Sequence, residues 1–419
     1  MKMKQVTISL LSFCVVAFSG IKSAAAASFS IIAEGLNNAG GLSFGPDGNL
    51  YVTEAGIGGN GSCVPPASGQ GDSLCYGNSG AITKIANGKT QRILTGLPSL
   101  ALPNGTGGSG PRDIKFDAQG KPYVLLGYGA NPVFRDRNLG NNDLGKIIAP
   151  DFKTNSWTSI ADIANYELAN NPDGKDVNSN PLGFVINGNN LAVVDAGANN
   201  LLSVKTNGTN LQALTTFAQE ILNNPVFPPT GTPSNEPAQV PSQNEKPQLS
   251  QFPIQVVPSS VAIGPDGAYY VSQFTGFPFP EGQAKIYRIG ADGVPTIYAD
   301  GFTQLTDLEF DTQGNLYALQ YANQSAWKGN LDGSLIKIAA DGTRTTILSG
   351  NGLESPSALT IGADGAIYIT NRGDRPGEGQ ILKVENLQSI PEPSSALGVL
   401  AIAVLGAAWL HKKEAPKPY

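Results

Sequence analysis

The 419 residues carry 27 Lys and Arg against 33 Asp and Glu, a formal net charge of −6, and 40% of them are hydrophobic. That acidic balance, with no basic patch, excludes a surface built to bind nucleic acid. The one histidine is His411, near the C-terminus, so the body of the chain cannot assemble a Ser-His-Asp or Cys-His pair, nor an imidazole-based zinc or copper site.

Residues 1–27 read as a secretory signal peptide. Lys2 and Lys4 precede an apolar run from Val6 to Ile21, and Ala25-Ala26-Ala27 offers a small-residue cleavage site before Ser28. An uncleaved N-terminal anchor is the alternative. Export places 28–390 in the periplasm, on the outer surface or in an extracellular matrix. Of the three cysteines only Cys63 and Cys75 lie beyond the signal, and in an oxidising compartment they are expected to form a disulfide closing a short loop, with two free thiols as the alternative.

One phrase then recurs along the chain. GLSFGPDGNLYVTE from Gly41, DIKFDAQGKPYVLL from Asp113 and GFVINGNNLAVVD from Gly183 all read as strand, tight turn, strand; so do VAIGPDGAYYVSQ from Val261, DLEFDTQGNLYALQ from Asp307 and ALTIGADGAIYITN from Ala358. A third strand follows each copy, as in AITKIAN from Ala81 and AKIYRIG from Ala284, and a fourth follows most, as in TQRILTGL from Thr90. Six units of four antiparallel strands predict an all-β fold, a six-bladed β-propeller. The sixth unit ends at Glu385-Asn386 without a fourth strand. Residues 28–36, SFSIIAEGL, resemble the missing strand, so the N-terminal strand is expected to complete the sixth blade and close the ring.

Residues 223–258 break the rhythm with nine prolines among Ser, Asn, Gln and Thr. They read as an extended insertion, with a linker between two half-propellers as the alternative. Connections between second and third strands are long and rich in Gly, Asn and aromatics, and a four-stranded meander brings them all to one face, where binding is expected. In one of them, Arg135, Asp136 and Arg137 read as a solvated charged tip. The second strands end in Glu54, Leu126, Asp195, Gln273, Gln320 and Asn371, and the first strands open with Arg112, Asp113 and Asp307. The polar members are expected to ring the channel mouth, where carboxylate and amide oxygens suit Ca²⁺; alternatively, each merely ends a strand where the chain re-enters water. After Gln273, the run Phe274-Thr-Gly-Phe277-Pro-Phe279-Pro offers either an apolar platform for a ligand or a plug for the channel.

The stretch VPSSVAIGPDGAYYVSQFTGFPFPEGQAKIYRI from Val257, with GPDGNLYVTEAGIGGNGSC from Gly45 and SGAITKI from Ser79, resembles the ScyD/ScyE family of exported bacterial proteins. The resemblance covers the ectodomain and is specific in the FTGFPFP loop, whereas the blade repeats alone are similar to NHL-type propellers. It implies an exported propeller that assists assembly of a scytonemin-type pigment, without transferable catalytic residues. Residues 391–419 resemble a PEP-CTERM sorting signal. Pro391-Glu392-Pro393 precede an apolar run from Ala396 to Leu410 and then His411, Lys412 and Lys413, which implies transient membrane anchoring and an exosortase-type partner. An ordinary single-pass anchor is the alternative.

Three functional expectations follow. The first is a surface-associated binding or accessory protein for a small aromatic molecule, or a protein or polysaccharide partner, with no resident cofactor. The second is a calcium-dependent propeller hydrolase or lactonase using the channel-mouth carboxylates. The third is a non-catalytic structural matrix protein.

Overall fold

Five of the six repeated hairpins fold for the same local reason. Asp47, Asp117, Asp266, Asp311 and Asp364 turn their side chains back to accept backbone N–H groups two to four residues on. A glycine then takes the left-handed conformation that reverses the chain, at φ +72° for Gly48 and +77° for Gly267. In blades 1, 4 and 6 the other oxygen of the aspartate also binds a second-strand tyrosine and a third-strand cation: Tyr51 and Lys84, Tyr270 and Arg288, Tyr368 and Lys383. The turn residue therefore ties together the first three strands of its blade.

These hairpins belong to a computed structural model that describes residues 27–67, 72–140, 142–229 and 249–385. The signal-like segment, the middle of the proline-rich stretch and the sorting segment with Pro391, Glu392 and Pro393 lie outside the described residues.

The chain opens with β1 (Ser28–Asn37). Blade 1 contains β2 (Ala39–Phe44), β3 (Leu50–Glu54), β4 (Cys63–Val64), β5 (Leu74–Ala86) and β6 (Lys89–Ala101), with β4 a short addition against the start of β5. Blade 2 contains β7 (Pro111–Phe116), β8 (Pro122–Leu126), β9 (Lys146–Asp151) and β10 (Ser156–Asp162), with helix α1 (Pro132–Asn138) between its second and third strands. Helix α2 (Ile163–Asn170) leads to blade 3, with β11 (Pro181–Asn187), β12 (Asn190–Asp195), β13 (Asn200–Lys205) and β14 (Gln212–Thr216). A separate pair, β15 (Glu220–Asn223) and β16 (Gln251–Ile254), brackets the proline-rich stretch. Blade 4 is β17 (Pro258–Ile263), β18 (Tyr269–Gln273), β19 (Ala284–Ile289) and β20 (Pro295–Phe302). Blade 5 is β21 (Leu305–Phe310), β22 (Leu316–Gln320), β23 (Asp332–Ile338) and β24 (Arg344–Glu354). Blade 6 contains β25 (Ala358–Ile361), β26 (Ile367–Asn371) and β27 (Pro376–Glu385), and its fourth strand is β1.

The fold is the expected six-bladed propeller. Strand β1 runs antiparallel to β27 from Ser28 opposite Glu385 to Leu36 opposite Gly379, so the two ends of the ring are zipped by main-chain hydrogen bonds. First strands touch in the order β2, β7, β11, β17, β21, β25 and back to β2, which closes the circle around a central channel. The apolar core is divided accordingly, with one buried cluster between each pair of adjacent blades. At the closure, Ala33 and Leu36 of β1 pack with Leu42, Val52 and Ile381. Burying a leucine such as Leu36 contributes about 1.5–3 kcal/mol.

The long loops add a seventh cluster, in which Val64, Leu74 and Leu100 meet Tyr128, Ala130 and Leu144. Cys63 and Cys75 are joined by a disulfide in the same loop region. Arg135 departs from its expected place at a solvated tip. Asn131 caps α1, and the helix turns Arg135 inward, where its guanidinium donates to both oxygens of Asp162 at 2.8 and 2.9 Å and to the carbonyl of Leu144 at 2.8 Å. Asp136 and Arg137 remain exposed.

Candidate functional site

The expected polar ring divides into two groups. Glu54, Asp195, Gln320 and Asn371 face the segment that brings the chain into their own blade, and each accepts a backbone N–H from it: Asn37, Asn180, Thr303 and Glu354 respectively, at 2.7–2.9 Å. Glu54 is further held by the Arg92 guanidinium and the Thr83 hydroxyl, and Asp195 by Ser179 and the N–H groups of Gly197 and Ala198. Burial pushes Asp195 up to about 6 despite these donors. Gln273 instead donates to Glu220 of β15, which also binds Lys285 and Tyr287 and so fastens the bracketing pair to blade 4. Leu126 is fully buried. These positions latch loops to blades and do not line the channel. The physical reason is that the second strand lies one place outward from the ring's inner wall, so its terminal side chain meets loop backbone.

Arg112, Asp113 and Asp307 do reach the channel. Asp113 and Asp307 hold corresponding places in blades 2 and 5 and make corresponding bonds. Each accepts from the next residue's N–H, at 2.8 Å, and from a first-strand N–H of the following blade, Phe184 for Asp113 at 3.1 Å and Leu359 for Asp307 at 2.7 Å. They are staples between blades. The approach is close enough that a Cβ at Gly41 would collide with the Asp113 carboxylate.

Two charged residues of the innermost strands escaped the sequence reading. Lys115 lies 3.1 Å from Asp113, and Glu309 accepts the N–H of Ile361. Burial opposes the charge on Lys115, but Asp113, Asp307 and Glu309 outweigh it and hold its pKa above the ordinary value. Burial, reinforced by Asp307 and opposed by Lys115, pushes Glu309 up to about 7. Asp113-x-Lys115 and Asp307-x-Glu309 place charges two apart on an innermost strand, hence on one face. That spacing was the available signal.

Above this charged layer the channel widens into a cavity of about 930 Å³ on the long-loop face, bordered by all six first strands and by Phe274, Phe277, Phe279 and Tyr321. Phe274 lies 5.9 Å from Phe279 and 5.7 Å from Tyr321, and Phe277 lies 5.9 Å from Phe227, between ring centroids. The aromatic loop therefore walls a cavity instead of plugging it. Its backbone is held firmly: Trp327 donates to the carbonyl of Pro278 at 2.9 Å, Ser325 to that of Phe279 at 2.8 Å, and Gly276 to that of Gln255 at 2.8 Å. Thr275 at φ +77° and Phe279 at φ +58° occupy the left-handed region. For a β-branched residue such as Thr275 this costs on the order of 1–3 kcal/mol, an expense concentrated at binding sites. A smaller cavity of about 330 Å³ adjoins the first at Arg112 and is bordered by Asp374.

Among the described residues, no three Asp, Glu, His or Cys side chains converge as a metal would require. The carboxylates expected to hold Ca²⁺ stand on separate blades, and each accepts backbone N–H groups. No described helix is long and apolar enough to cross a membrane.

No protein-family model matches this sequence, and no curated protein matches it. Solved structures similar to it include a putative gluconolactonase at 12% identity and a TM-score of 0.47, covering 86% of this chain and 93% of that one. Others are the calcium-binding protein regucalcin from Agrobacterium tumefaciens, at 13% identity, a TM-score of 0.45 and coverage of 85% and 95%, and virginiamycin B lyase from Staphylococcus aureus, at 12%, 0.43, and 85% and 99%. Similarity at this level, to proteins of three different descriptions, carries no argument about what the present chain does.

Proposed function

We propose that this chain is an exported, surface-associated binding protein whose long-loop face receives a small aromatic molecule. Following the family resemblance, its service is to the assembly of an extracellular pigment or matrix, and its C-terminal segment is handed to an exosortase-type partner. The observation that carries the binding reading is the cavity of about 930 Å³ walled by Phe274, Phe277 and Phe279 on one rim and Tyr321 beside them. Aromatic walls give ring-on-ring contacts worth about 0.5–1.5 kcal/mol each beyond simple burial. The loop is already held in shape by Trp327 and Ser325, so binding costs little ordering.

The test is calorimetric titration of the purified full chain with a neutral aromatic probe, 2-phenylethanol or 1-naphthol. Saturable binding is expected, weakened roughly three- to tenfold by Phe277→Ala. No heat at millimolar probe, or an affinity indifferent to Phe277→Ala and Phe279→Ala, would overturn the reading.

A further inference from the structure

Arg112 stands apart from other arginines in the ring. Arg92, Arg135, Arg288, Arg372 and Arg375 each pair with a carboxylate within hydrogen-bond distance. Arg112 sits at the start of the second channel-facing strand of its kind, partly buried, where the two cavities meet. Among the described residues its guanidinium donates no hydrogen bond and forms no ion pair. Asp113 beside it is fully engaged by Ile114, Lys115 and Phe184. A fork of donors that borders a cavity and has no protein partner is free for a ligand, and its planar geometry matches a carboxylate.

Asp374 carries the opposite demand. One oxygen accepts the Tyr321 hydroxyl at 2.9 Å, while the other is buried without a partner. Burial disfavours the charge on Arg112, and Asp374 is foremost among the groups restoring it, ahead of Asp113 and Tyr321. The two charges thus feel each other without meeting. Tyr321 links this polar end to the aromatic wall, because its ring lies 5.7 Å from Phe274. An anion with a neighbouring donor would satisfy both residues at once.

Resting on the binding reading above, we infer that Arg112 and Asp374 form the polar end of the aromatic cavity, and that the ligand is a small aromatic acid bearing a hydroxyl or amino donor. The carboxylate pairs with Arg112, the donor with the free oxygen of Asp374, and the ring lies toward Phe274 and Phe277. Neutral aromatics leave the charge of Arg112 unpaired, and acids without a donor leave one oxygen of Asp374 unsatisfied.

Three probes of similar size separate these contributions: 3-phenyllactate, 3-phenylpropionate and 2-phenylethanol, titrated calorimetrically into the full chain. The hydroxy acid should bind tightest, and the acids should exceed the alcohol by roughly tenfold or more. Arg112→Gln should erase the advantage of the acids over the alcohol. Arg112→Lys, which keeps the charge but loses the fork, should fall between. Asp374→Ala should erase the advantage of hydroxy acid over plain acid. If acid and alcohol bind alike to the unmodified protein, or Arg112→Gln weakens both equally, the anchor is overturned; binding of the alcohol that still responds to Phe277→Ala leaves the aromatic reading standing. Equal binding of the two acids overturns the role of Asp374. If no probe binds, both proposals fall. Should Arg112→Gln not fold, as its melting curve would show, the probe ranking on the unmodified chain and Arg112→Lys decide.

Discussion

Glu167, on helix α2, holds a buried carboxylate without a well-formed hydrogen bond, with only the Asn178 N–H nearby to favour its charge. Burial, with Asp195 and Asp173 adding to it, raises its pKa from 4.5 to about 8. Below pH 4.5 the group is protonated in both folded and unfolded chains and costs nothing. As pH rises toward 8 the unfolded chain releases the proton and the folded one keeps it, so stability is lost across that window. Glu167→Gln removes the titration. It should melt roughly 2 °C or more above the unmodified protein at pH 8.5 and match it near pH 4; a difference that stays constant across this range would count against the assignment. Such a role was not legible in the sequence. A glutamate in YELAN reads as a solvated helix residue until the fold buries it within the field of Asp195 and Asp173, and Arg135 was misplaced because burial of that kind is not local.

At the scale of elements the sequence was far more informative. Alternating apolar residues and the Asp-Gly turn are local properties, so the six hairpins could be read directly, and the missing fourth strand of the last blade pointed to Ser28–Leu36. Pairing of β1 with β27 follows from that deficit, because an unpaired β27 would offer an open edge. Deleting residues 28–36 should therefore expose β27 and the cluster around Leu42 and Ile381. The expected outcome is aggregated or unfolded protein by light scattering and circular dichroism; a monomer with an unchanged melting temperature would contradict closure by this strand. The pair β15 and β16 was not foreseen. Four residues a side, one of them Pro253, carry too little pattern to register as strands.

At the scale of the whole molecule, the candidate site is a composite. Arg112 comes from blade 2, the phenylalanine loop follows the second strand of blade 4, Tyr321 follows that of blade 5, and Asp374 follows that of blade 6. The proposed export of the chain also belongs to this scale. Removing residues 391–419 should release the protein from the cell surface into the medium, as fractionation and immunoblotting would show. An unchanged distribution would sink the sorting proposal.

The sequence by itself determined the number of blades, the strand that closes them and the face that carries long loops. Each of these rests on local turn chemistry and period-two patterning repeated at intervals. Only the tertiary structure decided that Glu54, Asp195, Gln320 and Asn371 are loop latches, that Lys115 and Glu309 join Asp113 and Asp307 in one charged group, and that Arg112 and Asp374 border the same cavity, the one without a protein partner and the other with one oxygen unsatisfied. Those outcomes depend on how far each strand stands from the ring axis and on which loops converge above it. Spacing along a chain does not encode such distances; they arise when six blades close.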